Sequence, residues 1–213
     1  MSNTLPTRSI LAAGVAAASL SAATFAGDST SWLYLPCEST EGIASFSAMV
    51  TYSWTGGSTA SISIDLLNNT EASLGGYITA IALNGAPGSS AMSFVSCTSA
   101  AFQGLEAPVT GSPYGDFMSG ASTGDSWLGG GSPNSGLSIG QSATFVFSLS
   151  GSSALLSGLT AQDCLDSTGY AMAVRFRGGE DGWSDKVVGC AVPAPGAAAL
   201  IALAGMATRR RRA

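Results

Sequence analysis

Three groups of residues in this 213-residue chain have the types and spacing to do chemistry. The first is the acidic stretch "GGEDGWSDK", Gly178 to Lys186. Glu180, Asp181 and Asp185 place three carboxylates around Gly182, with Asp163 and Asp166 upstream. Crowded carboxylate oxygens suit Ca²⁺, which takes about six to eight oxygen ligands. The spacing fits no EF-hand loop, so Ca²⁺ is the one cofactor the stretch admits rather than one a motif dictates. The competing reading is a solvated turn whose charge is balanced by Arg175, Arg177 and Lys186. The second group is aromatic. Of the four tryptophans, Trp54 falls on the apolar face of a strand, whereas Trp127 and Trp183 sit among Gly and Ser. Those two are candidates for stacking on sugar rings, or for pinning loops to a core.

The third group is the cysteines at 37, 97, 164 and 190. Spacings of 60, 67 and 26 residues contain no Cys-x₂-Cys pair and the chain has no His, which argues against zinc. An even number of cysteines favours disulfides in an exported chain, and three pairings are open. Cys37 with Cys190 and Cys97 with Cys164 is the preferred set, since terminal strands often pair in sandwiches. The lack of His also removes Ser-His-Asp and Cys-His catalysis. No Ser-x-x-Lys leads to Lys186, because the residue three before it is Trp183. Paired carboxylates of glycosidase type remain, without a motif to support them.

The elements that must position these groups read as β-strands. In "IASFSAMVTYSW", Ala44, Phe46, Ala48, Val50, Tyr52 and Trp54 alternate with Ser and Thr. "TGGS" then supplies a turn, and "TASISIDLL" returns with Ile62, Ile64 and Leu66 on one face, predicting a hairpin. "GGYITAIALNG", "QSATFVFSLSG" and "YAMAVRFRGG" are further Gly-bounded strands. The Gly-, Ser- and Pro-rich tract from Ala107 to Leu137 reads as a loop or crossover pinned by Phe117 and Trp127. "NNT", Asn68 to Thr70, is both a glycosylation sequon and an ordinary strand-ending turn. Short strands and Gly-rich turns predict an all-β, antiparallel, jelly-roll-like β-sandwich.

Charge separates the middle of the chain from its ends. All 13 Asp and Glu lie between Asp28 and Asp185, against three basic residues in the middle, Arg175, Arg177 and Lys186, a net of −10. Such a surface repels phosphate backbones, so nucleic acid is not an expected partner. Arg8 followed by "SILAAGVAAASLSAATFA" reads as a secretory signal peptide over residues 1–26, with small residues at Thr24 and Ala26 before a cut at Gly27. At the other end, Gly196 to Ala207 would make about 18 Å of helix, short against a bilayer core of about 30 Å. Arg209, Arg210, Arg211 and Arg212 follow it, and would hold that end on the cytoplasmic side.

Pro193-Ala194-Pro195, the apolar "LIALAG" segment and the terminal arginine run resemble the PEP-CTERM sorting signal over residues 192–213. The resemblance implies an exosortase-type membrane enzyme as partner, transient membrane insertion through the C-terminal helix, and release or transfer to the cell surface. Ala194 stands where that family usually has Glu. "ISIDLLNNTEASLGGYITAIALN", "GQSATFVFSLSG" and "MAVRFRGGEDGWSDKVVG" resemble the exported β-domains often found ahead of such tails. The expectation is a signal helix (1–26), an exported sandwich (27–191) and a sorting tail with a short apolar helix (192–213). Its expected role is structural or adhesive at the cell surface or in the extracellular matrix, without catalysis. A carbohydrate-binding module acting on extracellular polysaccharide is the alternative, and a glycoside-active enzyme the second.

Overall fold

The computed structural model describes residues 29–128, 132–166 and 168–192. The expected signal helix, the sorting residues Pro193, Ala194, Pro195 and Arg209 to Arg212, and the apolar helix between them lie outside the described residues.

The described residues are mostly antiparallel β. The strands are β1 (Ser29–Ser39), β2 (Phe46–Ser53), β3 (Thr59–Asn68), β4 (Gly75–Leu83), β5 (Ala91–Cys97) and β6 (Gln103–Gly104), then β7 (Val109–Thr110), β8 (Asp116–Phe117), β9 (Ser119–Ser122), β10 (Ser142–Ser150), β11 (Met172–Gly179) and β12 (Asp185–Ala191). One short helix, α1 (Ser153–Gly158), follows β10, its first turn capped by the Ser152 hydroxyl accepting from the Leu155 N–H. Among the described residues no helix is long and apolar enough to cross a membrane.

Ten strands form one sheet in the order β5-β10-β3-β2-β1-β12-β11-β4-β9-β6, and β7 pairs with β8 apart from it. The sheet curls until its ends meet: Gly104 of β6 lies against the Phe94 ring of β5, so closely that a Cβ on Gly104 would sit 3.0 Å from it. The result is a nearly closed barrel. The ladder runs through all ten strands, and the two-sheet division of a jelly-roll is not drawn by hydrogen bonding.

The predicted hairpin is β2–β3, in register from Phe46 opposite Asn68 to Ser53 opposite Ser61. Its turn needs glycine, since Gly56 (φ 112°) and Gly57 (φ 83°) are left-handed. Alternation decides which face is buried. Phe46, Ala48, Val50 and Tyr52 point inward with Ile62, Ile64 and Leu66, and with Phe145, Phe147 and Leu149 of β10. Inward residues of β11, Met172, Val174 and Phe176, complete the filling. Each of the Val, Leu, Ile, Phe and Met side chains among them contributes about 1.5–3 kcal/mol by leaving water.

The Ala107–Leu137 tract is more ordered than a crossover. It supplies β7, β8 and β9 and folds back as a flap over the outside of β4, β11 and β12. There Val109, Tyr114, Phe117 and Trp127 form a second core with the outward Ala80, Ala82, Ala173 and Val188. Small residues on the sheet admit the flap. A Cβ on Gly120 of β9 would come within 2.7 Å of the Ile81 carbonyl oxygen.

Candidate functional site

A cleft of about 500 Å³ opens where β1 and β12 meet the segment leading into β11. Its walls carry Tyr34, Glu38, Asp166, Tyr170 and the Cys37–Cys190 disulfide. A bulge builds one wall: Pro36 pairs with Gly189 and Glu38 with Val188, leaving Cys37 as the extra residue. Its Cα lies 5.7 Å from that of Cys190, within disulfide reach, and both cysteines are exposed. Tyr34 is buried at the cleft's inner side, its hydroxyl donating to the Gln162 carbonyl at 3.1 Å. Burial, then the neighbouring Cys164 and Asp163, pushes its phenol well above the ordinary value.

Tyr170 stands at the mouth, 36% exposed. Its ring meets that of Tyr114 edge to face at 4.9 Å, and its hydroxyl donates to Glu38 Oε1 at 3.5 Å. Tyr114 is fixed in turn by donating to the Lys186 carbonyl at 2.9 Å, and burial, with the Glu38 charge next, raises its phenol to about 12. Asn84 Nδ2 donates to the Tyr170 carbonyl at 3.1 Å and so holds that backbone. Asp166 Oδ1 accepts from the N–H and the hydroxyl of Thr168, both at 2.7 Å, which orients the carboxylate. The cleft therefore offers one exposed aromatic ring, two carboxylates and a rigid covalent wall. Such a site can stack on a ligand and accept hydrogen bonds from it.

The residues singled out by sequence are distributed differently. Glu180 and Asp181 are exposed on a single 3₁₀ turn, Glu180–Gly182, with Asp181 left-handed at φ 59°. Asp185 is fully buried and turned the other way, into the loop between β1 and β2. Its carboxylate accepts from the Ser39 hydroxyl at 2.8 Å, from the Thr40 hydroxyl at 3.0 Å, and from the N–H groups of Glu41, Ile43, Ala44 and Lys186. Burial alone would raise its carboxyl pKa. The donors from Ala44, Ser39, Ile43 and Glu41 outweigh burial and hold it below the ordinary value. The three acids do not converge, and among the described residues no three Asp, Glu or Cys side chains form a metal-holding group. Asp185 instead locks β12 to the β1–β2 loop.

Trp127 presents no open face of the kind a sugar platform needs. Trp127 is buried in the flap core, its indole N–H donating to the Ser112 carbonyl. Its own carbonyl accepts from Arg175 Nη1 at 2.6 Å, and burial, then Arg177, lowers that guanidinium to about 10. Trp183 is half-buried on two glycines. A Cβ on Gly179 would fall 1.9 Å from its ring and one on Gly76 2.7 Å, while its N–H donates to the Leu74 carbonyl at 2.8 Å. Both indoles pin loops. The "NNT" stretch is a structural turn as well: Asn68 is buried, donates to the Gly76 and Leu137 carbonyls, and accepts from the Thr70 N–H.

The cysteine expectation is half corrected. Cys37–Cys190 is the disulfide, but Cys97 and Cys164 are free thiols rather than a second bridge. The register explains it. Cys97 lies opposite Phe145, whereas Ala91 at the other end of β5 lies opposite Ser150. Cys164 belongs near that second end, its carbonyl accepting from the Ala86 N–H. Six residues of strand span about 20 Å, against a disulfide's Cα reach of about 7 Å. Burial lifts the Cys164 thiol to about 12 and leaves it unreactive at neutral pH.

Sequence reading missed Tyr34, Glu38, Asp166 and Tyr170 as a group, since they are spread over 137 positions and form no motif. No protein-family profile matches the chain, and neither the curated proteins nor the solved structures contain a detectable relative.

Proposed function

We propose that this is an exported, exosortase-sorted protein of the cell surface or extracellular matrix, with a structural or adhesive role and no catalysis. One observation carries the reading. The strand that leads into the tail, β12, is flanked by β1 on one side and β11 on the other, and is tied to β1 by the Cys37–Cys190 disulfide. Val192, the residue before Pro193, still donates its N–H to the Leu33 carbonyl at 3.0 Å. A domain held to a surface through its C-terminus would load this strand first. Central pairing and a covalent clasp both resist that load.

A disulfide also suits an oxidising compartment, in keeping with export through the inner membrane. The barrel is taken to have flattened, jelly-roll-like faces. The expected partners are an exosortase-type processing enzyme and extracellular polysaccharide, with the tail crossing the membrane only transiently.

The test is intact-mass analysis of surface protein from the native host. The mass should correspond to a chain that begins near Gly27 and lacks Arg209 to Arg212. Retention of the arginines on surface protein would end the sorting reading. Maleimide labelling of the denatured protein should give two labels per chain before reduction, at Cys97 and Cys164, and four after it. Four labels before reduction would remove the clasp.

A further inference from the structure

We propose that the cleft at the β1–β12 seam binds a neutral saccharide, with Tyr170 as the stacking platform and Glu38 and Asp166 as hydrogen-bond acceptors. This gives the adhesive role its ligand class, and rests on that role only for its setting.

Among the large hydrophobic side chains left exposed in the described residues, Met49, Val95, Leu128 and Tyr170, only Tyr170 opens onto this cleft. An exposed aromatic ring that is also braced is unusual for a residue with no task, since bracing costs side-chain freedom. Here Tyr114 supports it edge-on, Asn84 holds its backbone and Glu38 receives its hydroxyl. The cleft's volume of about 500 Å³ lies within the range of small-molecule sites.

The chemistry of the lining selects among ligands. It contains two carboxylates and no Lys or Arg, so phosphate, sulfate and uronate groups are repelled. Two carboxylates, one with an oxygen already accepting twice from Thr168, fall short of the shell that Ca²⁺ needs. A purely apolar ligand would cover Glu38 and Asp166 without donating a hydrogen bond to their remaining oxygen lone pairs. A pyranose meets each demand: its C–H face stacks on Tyr170, and its hydroxyls donate to carboxylate oxygens, which only accept. The disulfide and the paired strands β1 and β12 fix the wall before the ligand arrives, which lowers the ordering cost of binding.

The test uses the exported, disulfide-bonded protein in calorimetric titration with cellotetraose, xylotetraose, maltotetraose, chitotetraose and a heparin tetrasaccharide. At least one neutral oligosaccharide should bind, with the heparin fragment at least tenfold weaker. Tyr170→Ala should weaken binding about tenfold or more, and Tyr170→Phe should stay within about threefold of wild type. Glu38→Gln alters an exposed residue, so it leaves the fold intact and should still weaken binding severalfold. Binding of none of the four neutral oligosaccharides, a preference for heparin, or equal affinity in Tyr170→Ala and Glu38→Gln would overturn the site. Release of reducing ends by wild type and not by Glu38→Gln would uphold the saccharide site and overturn the non-catalytic reading. Retained arginines on surface protein would overturn sorting and leave binding untouched.

Discussion

The two sides of the barrel wall are built from strands of similar length, yet they treat their outward residues in opposite ways. On β2, β3 and β10 the outward positions face solvent, and they are largely hydroxyls: Ser47, Thr51 and Ser53, then Ser61 and Ser63, then Thr144 and Ser148. These line up across strands, Thr51 opposite Ser63 and Ser61 opposite Ser148. On β4, β11 and β12 the outward positions under the flap include Ala80, Ala82, Ala173 and Val188. One side alternates between buried and solvent-facing residues; the other, where the flap lies on it, is buried on both faces and carries short apolar runs. The difference shows that "ITAIAL" and "AMAVRF" carry two cores at once, the inner one filled by large side chains and the outer one by small ones that leave room for the flap.

The largest expected effect comes from removing the anchor of the covered side. Trp127→Ala should destabilise by about 3–5 kcal/mol if flap and barrel unfold together. Hydrogen exchange separates this from local opening. If the sides are independent, residues 105–127 will lose protection while β3 and β10 keep theirs, and the global loss will be smaller.

Asp185 lies at the border of the two sides, and Asp185→Asn should cost about 2–4 kcal/mol at pH 7. An amide cannot accept through its nitrogen, so several of the buried N–H and hydroxyl donors lose their partner. Because the folded carboxyl is held below its ordinary value, its contribution is present above the unfolded pKa and is lost as pH falls through the folded one. Urea melts should therefore show a constant gap between wild type and variant from pH 5 to 8, narrowing below about pH 4. A gap that widened in acid would refute the role given to the Asp185 carboxylate.

The smallest effects make the most direct comparison. Ala82→Leu, under the flap, should cost about 1–3 kcal/mol through overpacking. Ser63→Leu, at an outward position on the open side, should stay within about 0.5 kcal/mol. Equal costs in thermal melts would mean that the flap does not distinguish the two sides.

Much of the fold was legible because its signal is local. Period-2 alternation in "FSAMVTYS" and "TASISIDLLN" fixes which face of β2 and β3 is buried, since successive side chains in a strand point to opposite faces. Two adjacent left-handed glycines fix the turn between them. Phe117 and Trp127 stood out as anchors because large apolar residues in a polar tract must bury somewhere. Composition likewise pointed to the all-β class, and a count of charges to the acidic balance of the middle of the chain, without reference to neighbours.

Beyond the β2–β3 hairpin and the Cys37–Cys190 pair, which residues meet was decided by the tertiary structure. "GGEDGWSDK" looked like one cluster, but a strand begins within it, and the pleat sends Asp185 inward while Glu180 and Asp181 stay on a solvated turn. Cys97 and Cys164 were arithmetically free to pair, but Cys97 lies at one end of β5 and Cys164 beside the segment that leads into its other end. Tyr34, Glu38, Asp166 and Tyr170 share a cleft because β12 lies beside β1 and β11, a long-range pairing with no local sequence signal. The sequence determines what each segment will bury. Strand order and register, which depend on the whole chain closing on itself, decide which of the remaining groups face one another.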